Sequence, residues 1–433
     1  MKSLHKAYYF IKNRINPGKV AVFIALLLFV FSILSIYVDF TGNSIENEIQ
    51  PSNGKIAFAA WGSPAERAIM KTEAKNFSDK NNITVDVYCF SDLETYRTKV
   101  LAQFAAGDSF DVFYTDDVLF DILAQKGWLL NLSAASKKVD KSDFYTNAFE
   151  KGIFNQKLYG LPIGINPTVV YYNAKLFREA GIQNPDELYR AVKWDFNSFT
   201  EICRKIKKYS NTYGMTIKND WPTVFSIIRS ISSKTINFDI DGSILTDEPA
   251  LDAFRQMKEL VDKDYVIYLG GVPRGVTEDE LFESEKVAIV LAGYEYVSVF
   301  NKVKDLEWDI VPFPSDSKGF SISALDIPIL SVSSSTKDPD LSSDFALYYT
   351  GSECQKFSME NGGKMLSSLK SVNSESALKM SFPKHYNYFF DSLEYGFTED
   401  TALNYLQNKA ALYSRLNDYW LGLKDLYQAA RSP

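Results

Sequence analysis

Catalytic chemistry has few footholds in this sequence. It holds two histidines: His5 in a basic N-terminal stub, and His385 alone in an aromatic, helix-prone stretch. A Ser-His-Asp or Cys-His arrangement would rest on His385, and no orienting partner is visible for it. The three cysteines, Cys89, Cys203 and Cys354, are far apart and odd in number. They read as small buried hydrophobes, not as a disulfide framework. Neither cysteine spacing nor histidine pairs support a zinc site, so no metal is expected. No phosphate-loop or dinucleotide glycine motif occurs, and no cofactor is expected. A glycosidase needs only two acids; 54 Asp and Glu leave room for a pair, and nothing singles one out. The doublets Tyr171-Tyr172 and Tyr348-Tyr349 invite a ferric-iron reading. Successive side chains of a strand point to opposite faces, so each doublet is expected to give one core and one surface ring. The chain therefore reads as a non-enzyme.

The elements that must position any site come next. A chain of 433 residues exceeds one ordinary core, so two intimately wound lobes or two to three domains are expected. A net charge of −7 with no downstream Lys/Arg cluster argues against a nucleic-acid partner. Phe and Tyr are plentiful, 31 and 26, which suits ring-lined sites and equally an AT-rich genome.

Lys2, His5, Lys6, Lys12, Arg14 and Lys19 precede an unbroken apolar run from Val20 to Val38. As a helix that run matches the roughly 30 Å of bilayer hydrocarbon. The basic flank predicts a cytoplasmic stub over 1–19, a transmembrane anchor over 20–38 and everything after Asp39 outside the cell. A cleaved signal peptide is the rival, with only a poor cleavage site at Gly42 and Ser44. Residues 39–53 read as a linker.

From Lys55 the pattern alternates. A buried strand at Lys55–Ala60 leads to a helix from Pro64 to Asn81, then a strand at Ile83–Cys89. Ser91 and Glu94 would cap a helix to Ala106, and Phe110–Tyr114 is a third strand. Thr115, Asp116 and Asp117 cap a further helix. Strand–helix alternation implies a parallel sheet with right-handed crossovers. The stretch Lys157–Asn173, broken by Gly160, Pro162, Gly164, Asn166 and Pro167, ends in the apolar strand Thr168–Tyr172 and suits a path between two lobes. Further on, helices at Trp194–Tyr209, Pro222–Ser232 and Pro249–Lys263, a strand at Val287–Ala292 and a loop at Gly293–Tyr296 are expected. From Asp338 the chain is mainly helical.

Several motifs recur in a set order: the strand ending in Trp61-Gly62, Gly127-Trp128-Leu129-Leu130, Lys157–Pro162, Tyr171-Tyr172-Asn173 with Leu176-Phe177, and Trp194-Asp195-Phe196. Phe282–Ala288 before Ala292-Gly293, and Glu353–Gly363, complete them. Together they resemble the extracellular solute-binding proteins of carbohydrate ABC transporters, the maltose-binding-like family. The resemblance covers roughly residues 54–365. It implies an α/β, two-lobed periplasmic-binding-protein-like fold with several chain crossings and a sugar held between the lobes. Lobe 1 would comprise 54–165 and 313–365, lobe 2 166–312, with 366–433 as helices packing on both.

The same resemblance places ligand contacts at Trp61, Gly62, Asp116, Asp117, Trp221, Tyr294, Glu295, Tyr296 and Met365. Trp61 would be an aromatic platform for the C–H face of a sugar, or a core ring. Asp116 would accept hydroxyl hydrogen bonds, or simply cap its helix. Tyr294 stands where the family often carries Trp, so stacking would survive and ligand preference would shift. The hinge is expected at Ile165, Asn166, Pro167 and Thr168, with returns near Val311–Pro314 and Ser331–Ser335. The implied function is a membrane-tethered, extracellular sugar-binding subunit that serves ABC permease subunits. A ligand sensor for a membrane signalling partner and an extracellular carbohydrate-active enzyme are the alternatives.

Overall fold

The computed structural model describes residues 54–232, 248–314, 323–379, 382–399 and 403–430. The expected stub, anchor and linker lie outside them. Among the described residues no helix is long and apolar enough to cross a membrane.

Ten strands form two sheets. The first contains β1 (Lys55–Trp61), β2 (Thr84–Phe90), β3 (Val112–Thr115) and β4 (Gly160–Pro162). The second contains β5 (Val169–Asn173), β6 (Tyr213–Ile217), β7 (Ile267–Tyr268), β8 (Val287–Ala292) and β9 (Trp308–Val311). The last strand, β10 (Ile329–Val332), returns to the first sheet. The spatial orders are β2-β1-β3-β10-β4 and β7-β6-β8-β5-β9. In the first, β2 and β3 both run parallel to β1, while β10 is antiparallel to its neighbours β3 and β4. In the second, β6, β7 and β8 are parallel, and β5 runs against β8 and β9.

Local chemistry sets the helix starts. Ser63 caps the helix Pro64–Asn81 in a reciprocal box with Glu66, and Asn82 ends it with φ of 52°. The next helix, Leu93–Ala106, is capped by Asp92, whose carboxylate accepts from the Thr95 amide at 2.8 Å. The cap is therefore one residue later than the expected Ser91–Glu94 box, and it is a single side-chain bond, not a reciprocal pair. Helix Phe196–Ser210 begins after its cap Asp195 and leaves Trp194 outside. That indole is buried and donates to the Pro312 carbonyl at 2.8 Å.

Each sheet has an aromatic core. Phe58 meets Phe345 at 5.2 Å in the first lobe; Tyr171 meets Trp308 at 5.3 Å in the second. Burying such a ring contributes about 1.5–3 kcal/mol. The doublet Tyr171-Tyr172 departs from expectation, since both rings are buried. Strand β5 is interior to its sheet and covered on both faces, so alternation sends each ring into a different part of the core. Tyr348-Tyr349 lies in the helix Pro339–Tyr349, not in a strand.

Between the sheets the chain makes a narrow ribbon. Asn166–Pro167 pairs antiparallel with Leu325–Asp326. Ile165 bridges Leu366, and Ala324 bridges Phe397. The strands approach closely: a Cβ on Gly396 would come within 2.3 Å of Leu325. Ser331 lies inside β10, bonded between β3 and β4, and Ser333 bridges Leu129. Ser331–Ser335 is thus first-lobe structure and not a return crossing; Leu325–Asp326 is the return. The C-terminal segments divide. Leu369 and Val372, flanking the start of helix Lys370–Ala377, cluster with first-lobe Phe144. In the second lobe Trp420 stacks on Phe254 at 5.5 Å.

Candidate functional site

The carboxyl ends of the parallel strands in both sheets open onto one cleft. In the first sheet the strand order reverses around β1, which leaves a crevice beyond β1 and β3. Trp61 ends β1 and Asp116 follows β3. In the second sheet Lys218, Asp220 and Trp221 follow β6, and Gly293 and Glu295 follow β8. These residues line a cavity of about 440 Å³, with Asn166, Thr168 and Asp326 of the ribbon among its walls.

Aromatic rings approach from both lobes. Trp61 rests against Tyr96 at 5.0 Å and Tyr114 at 5.4 Å, which fixes its plane while its other side remains on the cleft. Trp221 starts helix Trp221–Ser232 and is held edge-on by Phe225 and Phe397 at 6.3 and 6.1 Å.

Charged groups fill the rest of the lining. Asp116 caps helix Asp117–Gln125, accepting from Leu119 at 3.1 Å, and pairs with Arg97. Arg97 also pairs with Glu94. Asp117 pairs with Lys151 at 2.9 Å. Its pKa is nevertheless pushed up to about 6, because burial outweighs Lys151 and Asp116 and Glu399 repel the charge. Lys218 bonds Glu278 at 2.8 Å and lies 3.6 Å from Asp220. Burial opposes its charge, but those two carboxylates outweigh it and raise its pKa. Lys409 pairs with Glu399 at 2.7 Å.

Asp326 differs from these. Its carboxyl is enclosed between the lobes yet open to water through the cleft mouth. Enclosure first, then the charges of Asp117, Asp116, Glu295 and Glu399, push its pKa up to about 7.

The structure brings Trp61, Asp116, Asp117, Trp221 and Glu295 into one lining, together with Asn166 and Thr168 of the crossing. It places four expected contacts elsewhere. Gly62 makes the tight turn into its helix, where a Cβ would lie 2.9 Å from that of Glu66. Tyr294 packs edge-on against Phe389 at 5.3 Å. Tyr296 donates to Glu278 at 2.9 Å, behind Lys218. Met365 sits beside the crossing, next to Leu366. The expected loop at Gly293–Tyr296 is the start of helix Glu295–Phe300, bonded from its first turn. Of the remaining crossing residues, Ile165 and Pro167 are buried in the ribbon.

Sequence reasoning missed Arg97, Lys218, Asp220, Asp326, Glu399 and Lys409. Position after β6 was a usable signal for Lys218 and Asp220. Glu399 and Lys409 come from a C-terminal stretch without a motif. His385 does have an orienting partner: Nδ1 lies 2.7 Å from Asp309 Oδ2, and Nε2 lies 3.5 Å from Asp186. No serine or cysteine is hydrogen-bonded to that ring among the described residues. No cluster of potential metal ligands occurs among them either.

This geometry is that of a two-lobed binding protein. The chain belongs to the bacterial extracellular solute-binding protein family, whose profile matches residues 73–382. It is 28% identical over 206 residues to the arabinooligosaccharide-binding protein of Bacillus subtilis, covering 46% of each chain. The chain spans about half the length of the curated relatives it matches. Among solved structures it superposes on MalE, a sugar-binding protein of Xanthomonas citri, with a TM-score of 0.74 at 18% identity, covering 87% of this chain and 94% of that one. The substrate-binding protein Lmo0181 of Listeria monocytogenes, solved with cycloalternan, gives a TM-score of 0.73 at 19% identity, covering 87% and 96%. At that identity the likeness establishes the two-lobed α/β fold. The family is one of binding proteins, and no enzyme family is indicated.

Proposed function

We propose that this protein captures a carbohydrate in the cleft and delivers it to an ABC importer. One observation carries the reading: Trp61 and Trp221, from opposite lobes, line the same cavity as Asp116, Asp117 and Glu295. A ring face takes the C–H side of a sugar, and carboxylates accept from its hydroxyls. The arabinooligosaccharide and cycloalternan named for the Bacillus and Listeria proteins, and the sugar binding named for the Xanthomonas protein, support this choice.

A solute touching both lobes favours the closed arrangement, because only closure completes its contacts. In this proposal Ile165–Thr168 and its partner Leu325–Asp326 form the hinge. The apolar run Val20–Val38 tethers the protein to the membrane, with the lobes outside the cell and ABC permease subunits as partners.

A thermal-shift screen against mono- and oligosaccharides, with recovery of the sugar, tests the reading. Stabilisation with the sugar returned intact supports capture; turnover of the sugar contradicts it. Release of the full chain from membranes by a carbonate wash would contradict the tether.

A further inference from the structure

The cleft carries more negative charge than sugar hydroxyls require. Its lining holds seven carboxylates and three cationic side chains. Arg97 is held by Asp116 and Glu94, Lys218 by Glu278 and Asp220, and Lys409 by Glu399. Lys151, from outside the lining, is held by Asp117. Two carboxylates remain without an ion-pair partner among the described residues, Glu295 and Asp326.

These two flank the same hinge residue. Asp326 is paired in register with Asn166 on the ribbon. Glu295 accepts from Asn166 Nδ2 at 2.7 Å. Amide donation to Glu295 supplies a hydrogen bond but no charge. The floor of the cleft therefore holds two acids outside any ion pair: Lys218 and Lys364 act on Glu295 only beyond contact distance, and Asp326 meets the charges of Glu295 and three other carboxylates.

Closure would strip water from this pair. Desolvating a carboxylate costs several kcal/mol unless a counter-charge or a proton arrives. Neutral hydroxyls would satisfy lone pairs and leave the repulsion in place. A protonated amine brings charge and up to three donors together.

We infer that the solute carries a protonated amine, seated on the floor between Glu295 and Asp326, with its ring or chain between Trp61 and Trp221. The inference rests on the cleft being the solute site, as proposed above, and it narrows the solute to an amino sugar or another amine-bearing compound.

Calorimetry on the full-length protein at pH 7.5 would compare glucosamine oligosaccharides with their N-acetylated and plain glucose counterparts, and with spermidine. The amine form should bind at least tenfold tighter than its neutral counterparts. That preference should collapse towards unity in Asp326→Asn. Where that variant does not fold, salt gives the second readout on the wild type. Amine affinity should fall several-fold between 0.05 and 0.5 M NaCl, and neutral-sugar affinity should hold.

Neutral saccharide bound as tightly as the amine, or amine affinity indifferent to salt, overturns the inference and leaves sugar capture standing. Binding of spermidine but of no saccharide upholds the charge requirement and overturns the sugar reading. No binding by any of them overturns both.

Discussion

Asn166 and Glu295 join the chain's first passage between the lobes to the start of a second-lobe helix. Asn166 Nδ2 donates to Glu295 Oε2 at 2.7 Å, and Asn166 Oδ1 accepts from the Tyr294 amide at 2.7 Å. A side chain of the crossing therefore holds both a cleft carboxylate and the backbone beside it. Any rotation about this ribbon moves Glu295 with it.

Asn166→Ala removes both bonds and leaves the Tyr294 N–H and the Glu295 carboxylate half-buried without them. The expected loss is about 1–3 kcal/mol of stability. Chemical denaturation of the wild type and variant measures it; an unchanged midpoint would show that the clasp is already solvated.

Trp61→Ala and Trp221→Ala should each weaken solute binding by about 1–3 kcal/mol, as for other aromatic anchors in a desolvated cleft. Tyr294→Ala should act differently. Its ring contacts Phe389 and not the cleft lining, so it should lower stability more than affinity. Titrations paired with melting curves separate the two effects. A larger affinity loss for Tyr294→Ala than for Trp61→Ala would return Tyr294 to the site.

Acidic groups in the cleft impose a pH dependence with an unusual sign. Asp326 and Asp117, at about 7 and about 6, hold protons more tightly in the folded protein than at their ordinary value of 3.8. Their contribution to stability is complete below about pH 4 and is lost as pH rises through 6 and 7. Asp326→Asn removes part of this loss. Its melting temperature should match the wild type near pH 4 and exceed it by a few degrees near pH 8, the size being limited by the water that reaches this carboxyl. A difference that does not grow between pH 4 and 8 would refute the crowding of acids around Asp326.

His385 ties the stretch before the helix Asn387–Tyr395 to the second lobe, through Asp309 at 2.7 Å and a backbone N–H to the same carboxylate at 3.0 Å. His385→Ala should cost about 2–3 kcal/mol by leaving Asp309 and Asp186 without the ring. Solute affinity should be nearly unchanged, because this cluster lies outside the cleft lining. Loss of binding in a folded variant would assign the histidine a different role.

Much of the scaffold was legible because it rests on local signals. Alternation gave β2, short apolar runs gave β1, β3 and β8, and Asp116 and Asp195 marked helix starts. The passage between the two sheets was visible from Gly160, Pro162, Gly164, Asn166 and Pro167. What was not legible depends on long-range register. Ser331–Ser335 looked like a connection by composition, but Ser331 is paired with β3 and β4 inside β10 and Ser333 bridges Leu129. Both rings of Tyr171-Tyr172 are buried because β5 is interior, which no local pattern reveals. In the cleft, strand-end residues were found, whereas Asp326, Glu399 and Lys409 arrive from distant segments brought in by the ribbon and the C-terminal helices. Tyr294 was misplaced because helix Glu295–Phe300 starts one residue after it and turns its ring towards Phe389.

The proposed capture depends on two rings from opposite lobes closing on one solute. Titration of the wild type and of the Trp61→Ala, Trp221→Ala double variant with a stabilising saccharide tests it most directly. The expected result is saturable binding by the wild type with the sugar intact, and loss of at least about thirtyfold in affinity in a double variant that still folds. Equal affinity in the two proteins would contradict it.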